Sequence, residues 1–79
     1  MGDVMRYRVE IETGMNASAV ADAVSYNHGT WSRATDGAGG LPGVVFIDSI
    51  EGEDDDLCAE MDSHSGVIGY DEFNPMETI

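Results

Sequence analysis

The sequence predicts an α+β domain of the ferredoxin-like, split βαβ kind, with the order β-α-β-β-α-β, an antiparallel sheet and two helices on one face. Two observations carry that expectation. Residues 5–11 alternate apolar and charged side chains with a period of two, whereas residues 17–24 repeat apolar side chains with the helical period. Two further strand-like runs bracket a glycine-rich connection, and a second short helical segment precedes the last strand.

In the first strand Met5, Tyr7, Val9 and Ile11 face one way, and Arg6, Arg8, Glu10 and Glu12 the other. Glu12-Thr13-Gly14 ends it. Asn16 is placed to cap a helix running to about Tyr26, with Ala17, Val20, Ala21 and Val24 on one stripe and Asn27-His28-Gly29 closing the element. Thr30 to Thr35 (TWSRAT) suits a second strand. Asp36 to Gly43 holds four glycines and reads as a flexible hairpin connection with Leu41 and Pro42 as apolar tips. Val44 to Ile50 (VVFIDSI) is a third strand. Asp54 to about Ser63 forms the second helix, with Leu57 and Met61 turned inward and Asp54, Asp55 and Asp56 in the first turn, where the helix dipole favours anions. Val67 to Phe73 is the last strand, and Asn74 to Ile79 a polar tail. The first and third strands are the most apolar and are expected at the centre of the sheet. The chain reads as one domain over 1–79.

Composition limits the function. Sixteen acidic and three basic residues leave a formal net charge of −13 on 79 residues, and there is no lysine. A module that binds DNA or RNA needs a cationic footprint, which this chain lacks, and attraction to anionic lipid fails for the same reason. At 42% hydrophobic residues the chain can still build a core, so it is not a solvated acidic tail. A single cysteine, Cys58, excludes an intrachain disulfide and points to a reducing compartment. The longest run of large apolar residues, Val44 to Ile47, falls far short of the roughly 20 that a membrane span requires. Met1 to Arg6 lacks an export signal's basic start, and Arg6 stands where myristoylation wants Ser or Thr. A cytoplasmic protein is expected.

No chemistry is forced by a motif. A calcium loop started at Asp48 would put Ile50 at its third position and Glu53 at its sixth, where a ligand and a glycine are required. A zinc site would have to use Cys58, His64 and His28, which lack paired spacing. Asp62-Ser63-His64-Ser65 contains the letters of a hydrolytic triad, but contiguous residues cannot adopt its geometry. The stretch reads instead as a polar turn closed by Gly66. Cys58 has no neighbouring cation to stabilise a thiolate and reads as a small, partly buried apolar residue. The glycines of 36–43 join two strands without a lysine, unlike a phosphate loop. The expectation is a protein that is not an enzyme and carries no metal or cofactor.

The charge is unevenly placed. Residues 1–47 hold five acids and three arginines, net −2, while residues 48–79 hold eleven acids and no base, net −11. Seven of those eleven lie between Glu51 and Asp62. The second helix and its approach are therefore expected to form a negative patch that repels itself unless salt or a cationic partner screens it. Three readings fit such a patch. Acids cover the surface for solubility or salt adaptation; or carboxylates stand in for nucleic-acid phosphates in a cationic groove; or an interaction module recognises a basic partner by complementary charge.

With its size, compact α+β plan, lack of a catalytic motif and the stretch EGEDDDLCAEMD, the chain resembles the small acidic proteins with which phages block host defence, above all anti-CRISPR proteins and DNA mimics. The resemblance implies stoichiometric inhibition: binding to a Cas effector, or another cationic nucleic-acid-binding complex, and obstruction of its groove. The partner-binding residues expected on this reading are Glu51, Glu53, Asp54, Asp55, Asp56, Glu60 and Asp62, with Asp71 and Glu72 as an extension. Arg6, Arg8 and Arg33 put positive charge on two strands, whose side is expected to lie outside the mimic.

Overall fold

Alternation in the first strand is realised residue by residue. In the computed structural model, which describes residues 5–73, β1 (Arg6–Ile11) buries Tyr7, Val9 and Ile11 and turns Arg6, Arg8 and Glu10 to the other face. Buried side chains of this kind contribute about 1.5–3 kcal/mol each. The tail expected over 74–79 lies outside the described residues, as does the N-terminal stretch 1–4.

Helix α1 (Ala17–Ser25) starts where the cap predicts. The Asn16 side chain accepts a hydrogen bond from the Ala19 backbone N–H at 3.0 Å. The Ala17 N–H, another group that a helix start leaves unpaired, donates to the Asp36 carboxylate at 2.8 Å. Ala17, Val20, Ala21, Val24 and Ser25 form the buried stripe. The helix ends one residue early because Tyr26 leaves the helical region, ψ 119°, and Asn27 takes a left-handed conformation, φ 65°. Asn is among the few side chains that tolerate that region.

β2 (Gly29–Thr35) begins one residue sooner than expected. A Cβ on Gly29 would stand 2.5 Å from the Asp48 carbonyl oxygen, so the close approach to the next strand requires glycine there. The connection from 36 to 42 is tied down rather than loose: Asp36 caps α1, the Thr13 hydroxyl donates to the Leu41 carbonyl at 2.8 Å, and Ala38 and Leu41 form a bridge. β3 (Gly43–Ser49) buries Val45 and Ile47, α2 (Asp54–Ser63) buries Leu57 and Met61, and β4 (Val67–Glu72) completes the sheet.

The strand order is β2-β3-β1-β4, and every neighbouring pair is antiparallel. The two apolar strands are central, as their composition predicts. Tyr7 stands opposite Ile47 and Val9 opposite Val45. These side chains share one core cluster with Ala17, Val20, Ala21, Val24, Leu57 and Met61, so both helices cover the same face of the sheet. The opposite face carries Arg6, Arg8 and Glu10 from β1, with Asp48 and Phe46 facing Arg6 and Arg8 from β3. Among the described residues, no helix is long and apolar enough to cross a membrane.

Candidate acidic interface

Seven acids lie on or just before α2, but the fold puts them to three different uses. Glu51, in the turn before the helix, and Asp55, Asp56 and Glu60 on the helix itself are exposed. Asp56 and Glu60 are four residues apart and therefore neighbours on one helical row, a like-charge pairing that costs a few tenths of a kcal/mol.

Asp54 and Asp62 are turned toward the sheet edge and held by tyrosines. The Tyr7 hydroxyl donates to the Asp54 carboxylate, and the Tyr70 hydroxyl donates to Asp62 at 2.9 Å. The two rings meet edge to face, with centroids 5.7 Å apart. Burial, and then the hydrogen bond to Asp54, push the Tyr7 hydroxyl well above the usual phenol range. Tyr70 is raised in the same way, by burial first and by Asp62 next. Both hydroxyls remain protonated donors at neutral pH. The Cys58 Sγ lies 3.5 Å from the Tyr7 oxygen, half-buried and with no cation against it, consistent with a packing residue.

Glu53, the residue before α2, faces His28 across the turn into β2. His28 Nδ1 is 3.0 Å from Glu53 Oε1, and its Nε2 is 4.0 Å from Glu60 Oε2. Backbone bonds hold this junction in place: His28 N–H donates to Ser25 O, Ile50 N–H to His28 O and Glu53 N–H to Ile50 O, at 2.8–2.9 Å. His28, Glu53 and Asp56 place three potential ligand atoms within 4.8 Å of one another. That set could hold a divalent cation, but the hydrogen bond from imidazole to carboxylate already accounts for the arrangement. Spacing does not reveal it, because its members come from separate segments. The cysteine and second histidine weighed for zinc lie elsewhere: Cys58 is against Tyr7, and His64 accepts from the Gly66 N–H at 2.9 Å.

The two outlying acids separate. Asp71 stands opposite Arg8 and therefore belongs to the face without helices, while Glu72 stands opposite Tyr7 and belongs to the helix side. The helix side thus gathers Glu51, Glu53, Asp54, Asp55, Asp56, Glu60, Asp62 and Glu72, without Asp71.

The arginines spend their charge elsewhere. Arg6 makes a two-pronged pair with Asp48, at 2.5 and 2.9 Å, which holds the Asp48 carboxyl below the usual carboxylate range. Arg8 reaches Glu10 at 3.3 Å. Among the described residues, no arginine forms an ion pair with α2 or its approach. No protein-family model matches the chain, and neither the curated proteins nor the solved structures contain a match to it.

Proposed function

We propose that this chain is a non-enzymatic inhibitor of the anti-CRISPR kind, acting in the host cytoplasm. Its acidic helix side occupies the cationic nucleic-acid groove of a Cas effector or of another nucleic-acid-binding complex. The scaffold is read as ferredoxin-like, a reading supported by the central placement of β1 and β3 and by the helices sharing one face.

One observation carries the functional reading: charge is segregated across the sheet. Arginines and their partners occupy the open face, and the acids of α2 are left without a guanidinium. The charge density along α2 is about half that of a duplex. A ten-residue helix spans about 15 Å, over which duplex DNA presents about nine phosphate charges. α2 carries five carboxylates in that length, with Glu51 and Glu53 immediately ahead. A surface of this kind speeds association through complementary charge and loses that advantage as salt rises.

The test reverses three acids of α2 that no tyrosine holds. Asp55→Lys, Asp56→Lys and Glu60→Lys in one chain leave the tyrosine-bound Asp54 and Asp62 intact. In a gel-shift assay of target DNA with a panel of purified Cas effector complexes, the wild-type chain should prevent DNA binding by one of them. The triple variant should not. Equal potency of the folded variant would refute mimicry by this face, and inactivity of the wild-type chain against the whole panel would remove the Cas assignment.

A further inference from the structure

The register of β2 against β3 slips between Ser32, which faces Phe46, and Thr35, which faces Val44. Two residues, Arg33 and Ala34, therefore stand against the single Val45, which defines a β-bulge. Strict alternation from Trp31 would send Arg33 to the helix side of the sheet. Ala34 takes that place instead and packs on the core. Arg33 adopts φ 57°, a left-handed conformation that is strained for any residue with a branched or long side chain, and leaves on the open face. Bulges commonly re-aim a side chain in this manner, and backbone strain concentrates where a side chain is put to use.

Arg33 emerges into a concavity of about 340 Å³, lined also by Arg6, Ser32, Phe46 and Phe73. That volume lies in the range of small-molecule sites. Two of the chain's three arginines line it, and none of the described acids does. In so acidic a chain, that is a local reversal of charge. Arg6 is steadied by Asp48, whereas Arg33 makes no ion pair among the described residues. Phe46 and Phe73 supply a ring surface, their centroids 5.2 Å apart and their planes inclined at 46°.

We propose that this open-face concavity binds a single nucleotide. The Arg33 guanidinium and the Ser32 hydroxyl take the phosphate, Arg6 flanks it, and the base lies against Phe46 and Phe73. A planar guanidinium pairs with phosphate through two parallel hydrogen bonds, and aromatic rings accept a base by stacking. The ligand is one nucleotide rather than a strand, because among the described residues one guanidinium is free of an ion-pair partner and the net charge of −13 repels a polyanion. The site lies on the face opposite α2 and is independent of the inhibitory reading.

The experiment is a two-dimensional amide NMR titration of the full chain with AMP, GMP, CMP and UMP, and separately with the four corresponding nucleosides and inorganic phosphate, at constant ionic strength. At least one nucleotide should give saturable shifts centred on Arg6, Ser32, Arg33, Phe46 and Phe73. It should bind roughly tenfold more tightly than its nucleoside or phosphate alone, since each half then contributes separately. Arg33→Gly removes the guanidinium and relieves the left-handed strain, so it should melt no lower than the wild type while binding roughly tenfold more weakly. Phe46→Leu, which keeps the strand apolar, should also weaken binding. The proposal is overturned if none of the four nucleotides shifts these residues, if phosphate alone binds as well as the nucleotide, or if Arg33→Gly binds like the wild type.

Discussion

The Tyr7 hydroxyl, on the buried face of β1, donates its hydrogen bond to Asp54 in the first turn of α2. One member of the acidic run is therefore part of the fold rather than of the surface. Tyr70 repeats the arrangement from β4 with Asp62, eight residues further along the same helix. α2 needs such clamps. It has ten residues, three acids in its first turn and only Leu57 and Met61 fully buried, and an isolated helix so short is not stable in water.

Replacing Tyr7 with Phe should cost about 1–2 kcal/mol, because it removes a hydrogen bond to a charged acceptor while keeping the ring. Asp54→Asn retains an acceptor and should cost less. Asp55→Asn touches no partner among the described residues and should leave stability unchanged or slightly higher, since it thins a crowd of like charges. Urea denaturation checks all three: the midpoint should fall for Tyr7→Phe at constant slope and hold or rise for Asp55→Asn.

Alkaline pH should unfold the protein through the same tyrosines. Tyr7 and Tyr70 are raised above their ordinary value of 10.0, by burial first and then by Asp54 and Asp62 respectively. Above pH 10 the unfolded chain loses phenolic protons that the folded chain keeps, so stability falls as pH rises through that window. Below it, the contribution is fully present. Thermal melts from pH 8 to pH 11 should show this decline, and Tyr7→Phe should show a shallower one. A melting temperature flat to pH 11 would contradict the protonated, hydrogen-bonded state of both hydroxyls.

Some of this was legible in the residues and some was not. The period-two pattern of Tyr7, Val9 and Ile11, the Asn16 cap and the apolar stretch Val44–Ile47 are local signals, and they yield the element order and the two central strands. The bulge at Arg33 and Ala34 is not local. TWSRAT contains one residue too many for clean alternation, and only pairing with β3 decides which is ejected. Likewise, nothing in EGEDDDLCAEMD distinguishes Asp54, bound to a tyrosine 47 positions away, from its neighbour Asp55. Asp71 and Glu72 adjoin in sequence, and strand alternation alone would separate them onto opposite faces.

Salt should stabilise the fold without being required for it. Exposed charges are screened over about 30 Å at 0.01 M and about 3 Å at 1 M ionic strength, so repulsion among Glu51, Asp55, Asp56 and Glu60 fades across that range. A gain of about 1 kcal/mol corresponds to roughly 4–8 °C in a domain of this size. Melting curves from 0.01 to 1 M NaCl should rise by that order, with a folded baseline already present at the lowest salt. Asp56→Asn should flatten the rise. A chain unfolded at 0.01 M and recovered only near molar salt would instead indicate salt adaptation as the origin of the acidic coat.

Leu57 decides whether α2 stays docked. A chain of 79 residues has a net stability on the order of 4–12 kcal/mol, and Leu→Ala in a packed core costs about 2–5 kcal/mol. Leu57 is fully buried and shares the inward stripe of α2 with Met61 alone, whereas α1 buries five residues. The loss therefore falls on the less anchored helix, where acids in the first turn already repel one another. Leu57→Ala should lower the global stability by that amount. It should also make the α2 amides exchange faster relative to those of β1 and β3, as expected when a weakly held unit opens before the rest. Hydrogen exchange followed by NMR reads both effects. Uniform acceleration across α1, α2 and the sheet would mean that α2 opens only with the whole domain, so that the acidic face and the core form one cooperative unit.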